Sequence, residues 1–555
     1  MARWAVRIAL ALLLLAALAW GVLHWAIVPR IDQLRPRLER LATRWVGAPV
    51  SIGAISAESN GLTPVIELTG VTVHDAQGRA GLAIARAQVA FSITSLLRGG
   101  VEQLALDGPQ LDIRRTAQGR LLIGGLDISG DASGDTRAAD WFFAQPEFVV
   151  QGGAVRWIDD TRPDMPPVAL SNLRLVIRNG RLHHQLRLDA TPDSAWGAPF
   201  TLTGQFRQPI FARHPGRWRD WNGQAYALLP RVDVSRLRQY VDLRADWGVE
   251  VTQGQGALRL WLDARRGQIT GITADLALGA VTATLGPELE PLALTSLSGR
   301  VGWQKHNGRE EITTRNLRFA DRDGLIWPGG NFQLSFQDGG AGGIGGGTLE
   351  AEQLDLGVLA KIARRLPLPR QVHEQLALHP VAGRVETIQA HWTGSMDAPR
   401  NWQVSARASD LTVGAQALPS KPDGKPRAGI PGIEGAQLTV QATPAGGQAD
   451  LTIKDGALTF PGVFERPRIA LQTLTARAQW TVNAQTGQIA VDVPQAAFAN
   501  ADATGHLRAN WHTATGQGDA RFPGVLDLDG VITRADGARV WRYLPLHIPQ
   551  AARDY

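Results

Sequence analysis

The stretches of this chain that come nearest to catalytic or ligand-binding motifs lack the spacing their chemistry needs. Gly340-Ala341-Gly342-Gly343-Ile344-Gly345 has the form G-x-G-x-x-G. A dinucleotide site requires that loop to open a helix within a βαβ unit. Here Thr348 to Leu354 reads as extended strand, so the glycine tract Gly339 to Gly347 is expected to be a flexible hairpin tip. His183 and His184 are neighbours on a strand-like run, which sends their rings to opposite faces, poor geometry for one metal. Asp159-Asp160 and the set Asp127, Asp131, Asp135 supply carboxylates without the loop grammar of a calcium site and read as solvated turn residues. Trp392, Trp402, Trp480 and Trp511 lie near Arg or His, as base-stacking residues do. No dense basic stripe accompanies them, so packing in a core or groove is expected. No Walker loop, nucleophile-elbow serine or H-E-x-x-H motif occurs, and with no cysteine there is neither disulfide nor thiolate chemistry. The sequence therefore gives no catalytic, cofactor-binding or metal-ligating residues, and an enzyme of the envelope is the weakest of the functional readings.

The elements that would position any function begin with an apolar run, Ile8 to Val28, broken only by Gly21 and His24. As a helix it is about 30 Å long, the thickness of a bilayer core. Arg3, Arg7 and Arg30 flank it, and Trp4, Trp20 and Trp25 suit interfacial depths. The competing reading is a signal peptide cleaved after Ala17-Leu18-Ala19, but the apolar run continues past that site. Residues 1–29 are thus expected to be a single-pass transmembrane anchor. Arg30, Arg35, Arg37, Arg40 and Arg44 follow it, which argues weakly against export, since long downstream domains translocate regardless of such charges.

Residues 30–46 read as an amphipathic helix next to the membrane, with Ile31, Leu34, Leu38, Leu41 and Trp45 on one face. Pro36 predicts a break or kink in its first turns, and Gly47 and Pro49 a stop. Such a helix either lies on headgroups or caps the neighbouring domain, capping being the commoner role.

From Val50 the apolar period changes to two. Val65, Glu67, Thr69, Val71 and Val73 alternate against Ile66, Leu68 and Gly70, and Leu104, Leu106, Leu111 and Ile113 flank a turn at Asp107-Gly108-Pro109. The 61 glycines and 32 prolines supply a turn-former about every six residues, the texture of consecutive antiparallel strands. Two brief helices share a grammar in which Asp follows a strand: Val232-Asp233-Val234 with Leu237 and Tyr240, and Leu354-Asp355-Leu356 with Leu359 and Ile362. Their spacing of 122 residues suggests a loose internal repeat. A third helical element starts near Trp541-Arg542-Tyr543-Leu544, and all three are expected to cover sheet edges. Residues 127–140 and Pro419 to Pro431 read as linker or loop. The expected fold is mainly β: the anchor, then a β module at 47–126, the linker, and repeating β-groove units over 141–555 in an elongated, curved antiparallel sheet.

Charge is unhelpful as a pointer to partners. With 57 basic and 51 acidic residues scattered along the chain, the net +6 is an ordinary solvated surface or a weak attraction to anionic lipid headgroups, not a nucleic-acid footprint. Function is therefore expected in shape. A long sheet with one apolar face offers a channel for acyl chains, whose exposure to water costs roughly 0.8 kcal/mol per CH₂. Which alternate residues line such a groove is not fixed, because a one-residue slip of register reverses the faces.

A resemblance adds to this reading. The helix running into Gly47-Ala48-Pro49-Val50-Ser51-Ile52-Gly53, then Leu68 to Asp75, Ala83 to Val89, Ser95-Leu96-Leu97 and Leu104 to Leu111, is similar to the start of AsmA-like proteins. Ile453-Lys454-Asp455-Gly456 leading to Phe460-Pro461-Gly462-Val463-Phe464, and Trp541-Arg542-Tyr543-Leu544-Pro545, resemble the YhdP-type branch. The resemblance implies an inner-membrane protein of Gram-negative bacteria. It also implies a periplasmic, bridge-like lipid-transfer body that carries phospholipid toward the outer membrane, with a possible partner there and no catalytic residues. Proteins of that type are longer, so the chain is expected to be a fragment, a truncated gene product or a shorter relative. The rival function is a structural or assembly factor for outer-membrane proteins that acts through sheet edges.

Overall fold

Period-two alternation, with turn-formers every eight to fifteen residues, folds in the computed structural model into strands almost throughout. The structure describes residues 4, 7, 14, 33, 35–46, 48–60, 63–74, 80–92, 95, 100–123, 126–127, 137–161, 163, 167–212, 214–237, 248–337, 345–366, 368, 373–374, 376, 380–395, 399–419, 427–514 and 524–548. The expected anchor, residues 1–29, lies almost wholly outside them. Among the described residues no helix is long and apolar enough to cross a membrane. The chain divides into one unit of Met1–Val241 with Gln255–Asp275 and a second of Asp242–Gly254 with Leu276–Tyr555.

In the first unit helix α1 (Arg35–Val46) leads into strands β1 (Val50–Ser51), β2 (Ala54–Asn60), β3 (Thr63–His74), β4 (Ala80–Ala90), β5 (Gln103–Asp107), β6 (Gln110–Arg115), β7 (Leu121–Ile123) and β8 (Leu126–Asp127). After α2 (Arg137–Ala144) come β9 (Glu147–Asp159), β10 (Val168–Asn179), β11 (His183–Pro192), β12 (Phe200–Arg207), β13 (Asn222–Asp233) and α3 (Val234–Leu237). Pro36 does not break α1. It sits in the first turn, where its missing N–H has no intrahelical partner to lose. The expected turn at Asp107-Gly108-Pro109 is also corrected. Gln103–Asp107 and Gln110–Arg115 both run parallel to β9, against Glu147–Gln151 and Ala154–Asp159, so this tripeptide kinks one line of chain without reversing it. The sheet is therefore mixed, not wholly antiparallel. The connection carrying α2 supplies the crossover that a parallel neighbour needs.

The other pairings are antiparallel, β9 to β10 and onward to β13 and β14 (Glu250–Arg265). A further strand, β15 (Gln268–Thr284), follows β14 in the chain.

The second unit is built from β16 (Leu292–His306), β17 (Arg309–Asp321), β18 (Ile326–Trp327), β19 (Asn331–Gln337), β20 (Gly346–Asp355), helix α4 (Leu356–Ile362), β21 (Val381–Gly394), β22 (Pro399–Val413), β23 (Gly432–Thr443), β24 (Gly446–Thr459), β25 (Arg468–Val482), β26 (Ile489–Ala499), β27 (Ala503–His512) and β28 (Val525–Ala535), then a 3₁₀ turn at Gly537–Tyr543. From β19 on, each strand pairs antiparallel with the next. Its core holds Leu411, Ala436, Ile453, Leu471 and Leu474. The helical grammar recurs three times. Asp233 caps α3, Asp355 accepts the Val358 N–H at 3.0 Å to cap α4, and Asp536 accepts the Ala538 N–H at 3.1 Å to start the 3₁₀ turn.

One feature decides which residues face inward. Gly70 and Gly152 adopt φ of +63° and +65°, and Asn172, Asp410 and Asp455 lie at +49° to +52°. Such residues turn the strand over, so its alternation changes parity; a bulge's register shift accompanies Gly152, Asn172, Asp410 and Asp455, whereas β3 keeps its register with β4 across Gly70. In β3 the inward side chains are Ile66 and Leu68, then Val71 and Val73. In β9 they are Phe148 and Val150, then Val155 and Trp157; in β10 they are Leu170, then Leu173, Leu175 and Ile177.

Candidate functional site

Those inward residues of the first unit pack against one another only in part. They surround a chamber of about 760 Å³, inside the range of about 300–1,000 Å³ usual for ligand sites. Every side chain that lines it is aliphatic or aromatic. Strands β3 to β7 and β9 to β11 all contribute, as do Val50 and Ile52, so this sheet curls around its own apolar face. The two helices close other walls: α1 with Leu38, Leu41 and Ala42, α2 with Ala139, Trp141, Phe142 and Phe143. Phe91, Val101 and Trp218 complete the lining. Of the lining residues, Ile84, Ala87, Leu106 and Val150 are also buried in the packed core, together with Ile55.

The helices are held by polar contacts outside the chamber. Glu39 Oε1 accepts the Ile52 N–H at 2.9 Å and Thr43 Oγ1 accepts the Val50 N–H at 3.1 Å, so α1 satisfies donors along the β1 edge. Asp140 of α2 accepts the Gly216 N–H at 2.7 Å and lies 2.9 Å from His214 Nδ1. Gln145 Oε1 accepts the Val101 N–H at 2.8 Å, and its amide donates to Trp141 O at 2.7 Å.

The opposite face is wet and charged. Arg156 forms a bidentate pair with Asp112, at 2.6 Å for the shorter contact, Arg114 pairs with Asp160 at 3.1 Å, and Arg178 pairs with Glu147 at 2.8 Å. These exposed pairs add little stability each, but they fix which face is solvated. The hydrogen bond from Arg187 holds the Asp189 carboxyl below the usual range, and Thr201 helps; Arg187 is raised in turn.

The motif-like residues serve packing. Asp159 lies 3.6 Å from Arg115 and accepts the Thr161 N–H, while Asp160 joins the wet-face ladder. Asp131 and Asp135 lie outside the described residues, as do residues 339–344 of the glycine tract, which leads into β20 and not into a helix. His183 is exposed and His184 is buried. The His184 ring stacks on Trp221 at 3.8 Å, and its Nδ1 is 2.8 Å from Asn179 Oδ1. Burial pushes its pKa below the usual value, outweighing the nearby Gln208 side chain, which favours the protonated ring. Trp392 and Trp480 lie over Gly347 and Gly447, their register partners on the neighbouring strands, where a Cβ would strike the indole. Among the described residues no group of three or more His, Asp or Glu could hold a metal ion.

A chain-long match to a family model fits this architecture: the model described as YhdP protein covers residues 1–555. The chain belongs to the YhdP family. No curated protein and no solved structure matches it. For this YhdP-family chain the residues that matter are therefore read from its own geometry. The chamber walls are those residues, and the sequence left them open because the parity switches at Gly70, Gly152 and Asn172 are not visible as periodicity. The signal was present in part, since Gly or Asn interrupts three of the strands at the point where the inward face changes.

Proposed function

We propose that the apolar chamber holds acyl chains, and that the protein carries phospholipid as an inner-membrane-anchored, periplasm-facing member of the cell envelope. A groove conducting such chains between inner and outer membrane, in support of outer-membrane lipid balance, is the wider form of this reading. The carrying observation is the chamber's volume of about 760 Å³ combined with a wholly apolar lining. An ordinary core of this composition would close, since each unfilled volume costs contact energy. The space equals roughly 25 groups the size of a water's share of liquid volume, about the size of a methylene. Membership of the YhdP family supports the same reading. No proton transfer, metal or cofactor enters it.

A second reading, a factor that binds outer-membrane protein chains through a sheet edge, draws on β28. All of that strand is exposed, including Leu526, Leu528 and Ile532, and an exposed apolar edge strand recruits other strands. Purified full-length chain, stripped of lipid and then incubated with phospholipid vesicles, separates the two. The lipid-carrier reading expects stoichiometric phospholipid on the re-isolated protein. No captured lipid, with β28-dependent binding of unfolded outer-membrane protein, would favour the second.

A further inference from the structure

The second unit contains a pocket of opposite chemistry, about 320 Å³ in volume. We propose that it binds a phosphate-class oxyanion, either free or as the headgroup of a lipid. The proposal stands apart from acyl-chain binding in the first unit, whose residues it does not use.

Four guanidinium groups line the pocket. Arg466 and Arg468 come from the entry to β25, and Arg539 and Arg542 from the 3₁₀ turn Gly537–Tyr543. Asp502 is the one carboxylate in the wall, and its oxygens are already engaged. Oδ1 accepts from Arg539 Nη1 at 2.8 Å, and Oδ2 accepts from Arg542 Nη1 at 3.2 Å and from the Tyr543 hydroxyl at 3.1 Å. Glu434 engages Arg468 at 2.7 Å, and Asp536 lies 3.4 Å from Arg539 Nε. Arg466 instead lies over the Trp541 ring, 5.2 Å from its centroid, and Arg542 lies over the same ring at 5.6 Å. Arg542 Nε is buried and donates no hydrogen bond.

Carboxylates thus fix three of the arginines, an indole orients Arg466 and Arg542, and donor capacity is left over. A structural staple needs Asp502 with Arg539, Arg542 and Tyr543. It does not need Arg466, which among the described residues has no carboxylate partner. Planar guanidinium forks match tetrahedral oxyanions and bind them with charge-assisted hydrogen bonds.

The test is titration of the full chain with inorganic phosphate at constant ionic strength, with chloride as the reference. Saturable binding is expected, weakened at least tenfold in Arg466→Gln and by less in Arg466→Lys, with unliganded melting temperatures unchanged. If Arg466→Gln melts low, Arg468→Gln provides the comparison. A parallel arm uses phosphatidylcholine vesicles with and without phosphatidate. Arg466-dependent capture by phosphatidate identifies a lipid headgroup as the source. Arg466-dependent phosphate binding without such capture identifies a free phosphate. Phosphate binding no stronger than chloride, or equal in wild type and both glutamine variants, overturns the proposal and leaves the cluster as a staple.

Discussion

Replacing Leu104 by Asp places a carboxylate on the chamber wall. In register it lies between Val89 of β4 and Phe148 of β9, both of which also line the chamber. The chamber's volume of about 760 Å³ leaves room for water around the new charge, so folding should suffer less than binding. An acyl chain of about 15 methylenes gains roughly 12 kcal/mol on leaving water, but to enter the variant it must strip or neutralise the carboxylate. Keeping an Asp carboxyl of ordinary pKa about 3.9 neutral at pH 7 costs roughly 4 kcal/mol. That corresponds to roughly 1,000-fold weaker capture. Gln185→Asp serves as the control, because Gln185 is exposed on β11 while Leu188 of the same strand lines the chamber. The assay is phospholipid retained per full-length chain after incubation with vesicles, with folding checked by circular dichroism. Leu104→Asp should lose capture, recover part of it at pH 4–5 as the acid is protonated, and leave the control unaffected. Equal capture by a folded Leu104→Asp variant would refute the reasoning.

Other expectations follow from single residues. Gly70→Ala forces a side chain into φ of +63° and should lower stability by about 1–2 kcal/mol, read as a lower urea midpoint; an unchanged midpoint would mean that β3 accommodates a side chain at this left-handed position. Asp355→Ala removes the cap on Val358 N–H and should cost about 1 kcal/mol, with faster hydrogen exchange at Val358 as the local sign. His184 has a pKa lowered by burial, so the fold keeps it neutral while the unfolded chain gains its proton near pH 6.5. Its contribution is intact above that pH and is lost as pH falls from there toward the lowered folded value. Melting temperature should therefore drop between pH 7.5 and 5.5, and less so in His184→Gln; identical pH slopes would contradict this.

How much of this was readable in the chain depends on which physical rule acts locally. Strands, the exposed–buried split of His183 and His184, and the Asp caps at Asp233 and Asp355 follow from neighbours along the sequence, and each was legible. The parallel pairing of β5 and β6 with β9 was not, because it joins residues 44 apart in sequence, such as Gln103 and Glu147, and a Gly-Pro kink looks like a turn. The chamber was foreseen as an apolar face but not as a set of residues. Simple alternation puts Ile66 and Val71 of β3 on opposite faces, whereas the left-handed Gly70 puts both on the same one. Asp536, the third cap, escaped notice because Gly537-Ala538 carries no helical pattern.

Site-specific photo-crosslinking along β3 in envelope membranes tests the central claim most directly. Probes at Ile66, Leu68, Val71 and Val73 should yield acyl-chain adducts, while probes at Glu67, Thr69 and Thr72 should not, so that the reactive parity changes across Gly70. Adducts that ignore this parity, or no lipid adduct at any of the four inward positions, would contradict a lipid-holding chamber.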